Sequence, residues 1–128
     1  MDNSFRADEK LYRAVYPPEI AEMFWRKDGT VSSAVFADPK GLSVDRGDYR
    51  DDEDVVRSML KRLDGRIISV YVKNCRDTGA VVLYKPSGSN PYHSEIHGSE
   101  SVALLSKTQR LFLSRKSVII TLQSGNGY

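Results

Sequence analysis

The stretch Ile67–Val72, IISVYV, constrains the fold more than any other part of the chain. It is a near-continuous apolar run of strand length, rich in β-branched residues. Such a run marks a central strand buried by layers packed on its sheet. Two amphipathic stripes supply those layers. In Asp52–Leu63 the residues Val55, Val56, Met59, Leu60 and Leu63 recur at helical spacing, with Asp51 or Asp52 as the N-cap and Glu53 and Asp54 complementing the dipole. From Val102 to Arg115 a second stripe runs through Leu104, Leu105, Leu111 and Phe112. Both helices are expected to cover the central strand, with Val70 and Val72 away from any exposed edge.

Other segments read as strands from their residue types: Leu11–Tyr16, Thr30–Phe36, Ala80–Lys85, Asn90–Gly98 and Ser117–Leu122. In Leu42–Arg46 alternation puts Leu42 and Val44 on one side and Ser43 and Asp45 on the other. Pro17 and Pro18 can open a short helix over Glu19–Arg26, with Ile20, Met23 and Phe24 inward. Lys73–Gly79 is a turn or a single helical turn. The expectation is an α+β fold, with one mixed β-sheet and two main helices packed on it. Residues 10–122 form a single domain between a flexible leader (1–9) and a flexible tail (123–128).

At 128 residues the chain has room for one modest core. No apolar run approaches the ~20 residues of a membrane span, and the polar N-terminal stretch has no signal-peptide pattern. A single cysteine, Cys75, forms no internal disulfide, so a cytoplasmic location without membrane contact is expected. Residues 1–64 carry 11 Lys and Arg against 14 Asp and Glu, whereas residues 65–128 carry 8 against 3. This asymmetry fits internal complementarity better than nucleic-acid binding, because no dense basic patch accompanies it.

The segment NPYHSEIHG holds both histidines. If extended, it puts His93, Glu95 and His97 on one face and Tyr92, Ser94 and Ile96 on the other. A carboxylate beside an imidazole suits acid–base work, which makes His93 and Glu95 the catalytic candidates. His93 and His97 stand two strand repeats apart, each about 6.5–7 Å, too far to clasp one zinc ion. No metal or cofactor is therefore expected. PSGSN at Pro86–Asn90 lacks the Gly-Lys-Ser/Thr ending of a phosphate loop. Arg13, charged within an apolar strand, suits either a fork for an anionic ligand or an inter-strand ion pair with Asp45 or Glu95. Ser32, Ser33, Asp45 and Arg46 complete the ligand-binding candidates. For Ser33 to be a nucleophile, His93 must approach it in the fold. If a polar site exists, it gathers Arg13, Ser33, Asp45 or Arg46, and His93.

The segments LYRAV (Leu11–Val15), SSAVFADPKGLSVDR (Ser32–Arg46) and NPYHSEIHG followed by LSKTQRLFLSRKSVII resemble a family of small bacterial proteins without an established function. The resemblance spans most of the chain and implies a single domain, without implying an activity. On looser spacing, Arg13, Ser32 or Ser33, and Glu95 resemble the layout of ADP-ribosyltransferase-like toxins. Two functions fit these residues. The first is a non-catalytic interaction domain with a protein partner, in a bacterial stress, toxin–antitoxin or defence cassette. The second is a small enzyme acting on a nucleotide or other anionic ligand through Arg13, Arg46, His93 and Glu95.

Overall fold

The run at residues 67–72 does form an interior strand. In the computed structural model, which describes residues 1–122, it belongs to β3, Arg66–Tyr71. The other strands are β1 (Lys10–Val15), β2 (Leu42–Arg46), β4 (Val81–Tyr84), β5 (His93–His97) and the two-residue β6 (Val118–Ile119). Together they make one six-stranded sheet in the order β4-β5-β2-β1-β3-β6. The fold is α+β, as expected. Its pairings are antiparallel throughout rather than mixed. Val72 leaves the sheet as the first residue of a short helix, α2 (Val72–Asp77), and both Val70 and Val72 are buried.

The sheet is covered on both faces, which is why β3 can be apolar on both. On one face α1, Asp52–Leu60, packs Val55, Val56 and Met59 onto Tyr12 and Ile67. On the other, Leu11, Val15, Ile68, Val70, Val44 and Ile96 meet Cys75 of α2, Leu113 of α3 (Lys107–Lys116) and the buried pair Val35 and Phe36. β1 lies at the centre, pairing with β3 over six positions from Lys10↔Tyr71 to Val15↔Arg66.

Several boundaries differ from the sequence expectation, each for a local reason. The helix expected over Glu19–Arg26 is only a 3-10 turn, Glu22–Phe24. Trp25 bridges Val31 and its indole N–H donates to the Tyr16 carbonyl, which pulls the chain out of helical continuation. Ile20 and Met23, expected inward, are 70% and 72% exposed. Ser33–Phe36, expected to be extended, is another 3-10 turn, which aims the adjacent Val35 and Phe36 into the core together. α1 stops at Leu60, and Leu60 and Leu63 are exposed because the helix reaches only the β1–β3 part of the sheet.

α3 begins at Lys107, five residues after the expected start. Ser106 caps it, and Gln109 answers in a reciprocal capping box. The Gln109 amide also donates to the Thr78 and Gly98 carbonyls, locking the helix start to two loops. This start leaves Leu104 exposed and makes Leu113, outside the expected stripe, the fully buried residue. The last strand shrinks from residues 117–122 to Val118–Ile119. The leader, expected to be loose, lies along the sheet: Arg46 donates to the Asp2 and Ser4 carbonyls and Arg76 to the Phe5 carbonyl. The expected tail, 123–128, lies outside the described residues.

Candidate functional site

Strand alternation decides which polar groups of LSVDR meet. Ser43 and Asp45 point to the α1 face, while Leu42, Val44 and Arg46 point to the opposite face. Across β5, Asp45 stands opposite His93, and Ser43 opposite Glu95. Because α1 is short, its C-terminal end does not close over these strands. A cleft of ≈ 340 Å³ remains there, lined by Arg13, Ser43, Asp45, Arg62, Asn90 and His93. Ala14, Tyr16, Met59 and Leu63 add apolar surface to its lining.

Arg13 occupies the place where two strands part. β1 and β2 pair only at Leu11↔Arg46 and Tyr12↔Asp45. Beyond that point the guanidinium takes over, with Nε donating to the Val35 carbonyl at 3.1 Å and Nη1 to the Ser43 carbonyl at 2.9 Å. Burial pulls its pKa down, against the opposing charge of Asp38. Among the described residues it forms no ion pair, so the expected bridge to Asp45 or Glu95 does not exist. Asp45 instead accepts from Arg62 at 2.7 Å and from the Asn90 amide at 2.9 Å, which satisfies a carboxylate only 5% exposed.

His93 is oriented at both ring nitrogens. Nδ1 lies 2.8 Å from the Lys85 carbonyl oxygen, and Nε2 lies 3.3 Å from Ser43 Oγ. A carbonyl oxygen accepts only, so the proton of the neutral ring sits on Nδ1. Nε2 is then the acceptor and the Ser43 hydroxyl is the donor. Ser43 is exposed to solvent and His93 is half-buried.

His93, Glu95 and His97 share a face as expected, but they do not act as one group. Glu95 Oε1 sits 2.8 Å from His97 Nε2 and 3.5 Å from Lys85 Nζ. Burial tends to raise the Glu95 pKa. The His97 hydrogen bond and the Lys85 charge outweigh it and hold the carboxyl below the usual range. Gly41 packs against this pair at φ +103°, where a Cβ would lie 2.5 Å from His97 Nε2. The backbone and the contact both demand glycine there.

The remaining candidates lie elsewhere. Ser32 Oγ donates to the Met23 carbonyl at 2.6 Å, and Ser33 opens the 3-10 turn that carries Val35 and Phe36. Neither lines the cleft, so the serine beside His93 is Ser43 rather than Ser33. Arg46 lies on the opposite face, buried against Glu9. Cys75 is fully buried, and burial pushes its thiol up to about 12, so it is neither a nucleophile nor a ligand at neutral pH. Among the described residues no group of three or more His, Cys, Asp or Glu side chains converges on one point. Sequence reasoning missed Ser43, Arg62 and Asn90 as site residues. For Ser43 the signal was present in the alternation of LSVDR against NPYHSEIHG. For Arg62 and Asn90 no local pattern marks them.

A larger hollow of ≈ 880 Å³ opens at the other end of α1, beside Lys10, Tyr12, Tyr49 and Asp52. There Tyr12 donates to Asp52 at 2.6 Å and Lys10 contacts both oxygens of the same carboxylate. Asp48 and Tyr49 adopt left-handed φ values of 48° and 66°. Comparison with models of known families, with characterised proteins and with solved structures finds no match for this chain. Among the described residues no helix is long and apolar enough to cross a membrane.

Proposed function

We propose that the chain is an interaction domain that docks a protein partner through the loop after β1. One observation carries this reading: Tyr16, Ile20 and Met23 are 52%, 70% and 72% exposed within a single eight-residue stretch. Leu63, also exposed, lines the same cleft as Tyr16 and extends the apolar surface towards α1. Apolar residues exposed singly need no explanation, whereas three large ones exposed so close together on one loop favour a surface that a partner covers. The loop is also held rigidly, by the Trp25 indole on the Tyr16 carbonyl and by the Trp25–Val31 bridge. A rigid apolar surface loses little entropy on docking.

The enzyme reading built on Arg13, Arg46, His93 and Glu95 has less support. Arg46 and His93 project from opposite faces of the sheet, and Glu95 is taken up by His97 and Lys85.

Photo-crosslinking from positions 20 and 23 in cells tests the docking reading. One recurrent partner is expected at both positions. With that partner purified, I20D/M23D should weaken binding by about tenfold or more, equivalent to about 1.4 kcal/mol. The fold should survive, because both side chains are solvent-exposed. Crosslinks scattered over unrelated proteins, or binding unaffected by the double change, would reject it.

A further inference from the structure

We propose that Ser43 and His93 form a nucleophile–base pair that transfers an acyl group from a small carboxylic ester to water. Three features of the cleft point to this. First, a serine hydroxyl faces the imidazole nitrogen that is the acceptor in the neutral ring, since the Lys85 carbonyl holds that ring's proton on the other nitrogen. That is the arrangement of an activated nucleophile, with a backbone carbonyl in the orienting role usually held by a carboxylate. The Oγ···Nε2 separation of 3.3 Å is within the looser geometry usual before substrate binds. Second, the pair lines a cleft that Ala14, Met59 and Leu63 also line, of a size for a small organic molecule. Third, two cationic side chains, Arg13 and Arg62, line the same cleft. Arg13 spends Nε and Nη1 on backbone carbonyls. Arg62 contacts Asp45 through Nη2 and lines the same cleft. Cationic N–H groups beside a carbonyl oxygen stabilise it as it becomes an oxyanion.

The step balances without a cofactor. Ser43 Oγ attacks the ester carbonyl carbon while its proton passes to His93 Nε2. The carbon–oxygen bond to the alcohol then breaks, and the departing oxygen takes that proton. Water enters, gives a proton to Nε2, and its oxygen attacks the acyl-serine. Collapse returns the proton to Ser43 Oγ and releases the carboxylic acid. Between the two transfers His93 carries the proton on Nε2 while Nδ1–H still donates to the Lys85 carbonyl.

Ser43 and His93 lie outside the proposed docking loop, although Tyr16 and Leu63 line the same cleft; the two readings are therefore tested with different variants. The full chain is treated with a fluorophosphonate probe and assayed with p-nitrophenyl acetate and butyrate. A single adduct on Ser43 is expected, with ester hydrolysis falling about 100-fold or more in Ser43→Ala and in His93→Gln. Both variants are checked by thermal melting, and Ser43 is exposed, so S43A should retain the fold. A third variant, Ser43→Cys, should be alkylated by iodoacetamide faster with His93 present than in the S43C/H93Q pair. Absence of a Ser43 adduct, an adduct of equal yield in H93Q, or hydrolysis unchanged in S43A would each overturn the proposal.

Discussion

Arg46 shows how one residue can organise a region without being part of a site. Its guanidinium gives Nε to Glu9 at 2.8 Å, Nη2 to the same carboxylate at 2.9 Å, and further bonds to the Asp2 and Ser4 carbonyls. It also stacks on the rings of Phe5 at 4.1 Å and Tyr84 at 5.0 Å. Arg46 and Glu9 are 2% and 1% exposed, so both charges depend on each other in place of water. Arg46→Ala leaves Glu9 buried and unpaired, and should cost about 3–5 kcal/mol by urea denaturation. It should also expose residues 1–9 to limited proteolysis. Arg46→Lys should recover little of this, because an ammonium cannot reproduce the planar fork. A proteolysis pattern unchanged in R46A would mean that the leader is held by other contacts.

At the scale of elements, the attachment of α1 to the sheet depends on protonation. Asp52, its first residue, accepts from Tyr12 of β1 and pairs with Lys10 of the same strand. Burial works to raise the Asp52 pKa, but the bonds from Tyr12 and Lys10 prevail and lower it. A carboxyl with a depressed folded-state pKa contributes stability that is fully present above its unfolded value. That stability is lost as pH falls through the folded value. Glu95, lowered by His97 and Lys85, acts in the same direction. Stability should therefore decline on acidification below the ordinary carboxylate range. Asp52→Asn should flatten that acid limb, since the amide no longer titrates, while lowering stability at neutral pH. Equal acid slopes in D52N and the parent protein, measured by denaturation at several pH values, would remove Asp52 from this role.

For the whole molecule, the sheet order sets where stability is greatest. β1 has partners on both sides and pairs with β3 over its full length, whereas β4 ends the sheet on one side and β6 is two residues long. Amide hydrogen exchange should be slowest in β1 and β3 and measurably faster in β4 and β6. Protection in β4 equal to that in β1 would point to an edge covered in solution. Much of this frame could be read from local patterns. The IISVYV run, the Val55–Met59 stripe and the alternation of LSVDR and HSEIH each carry a period that dictates which side chains share a face. Burial of apolar groups enforces that period wherever the chain folds. Where a tertiary contact overrides the pattern, local reading failed. Trp25 on Tyr16 breaks the expected helix after Pro18, and Gln109 on Thr78 and Gly98 moves the start of α3. The polar groups show the same division. Alternation alone put Ser43 and Asp45 on one face and His93 and Glu95 on one face. Only the pairing of β2 with β5, between segments about fifty residues apart, decided that His93 meets Ser43, and only the packing of the α1 end and the turn before β5 brought Arg62 and Asn90 to Asp45. Register is a long-range property, set by the hydrogen bonds and burial of both strands at once, and neither strand encodes it alone.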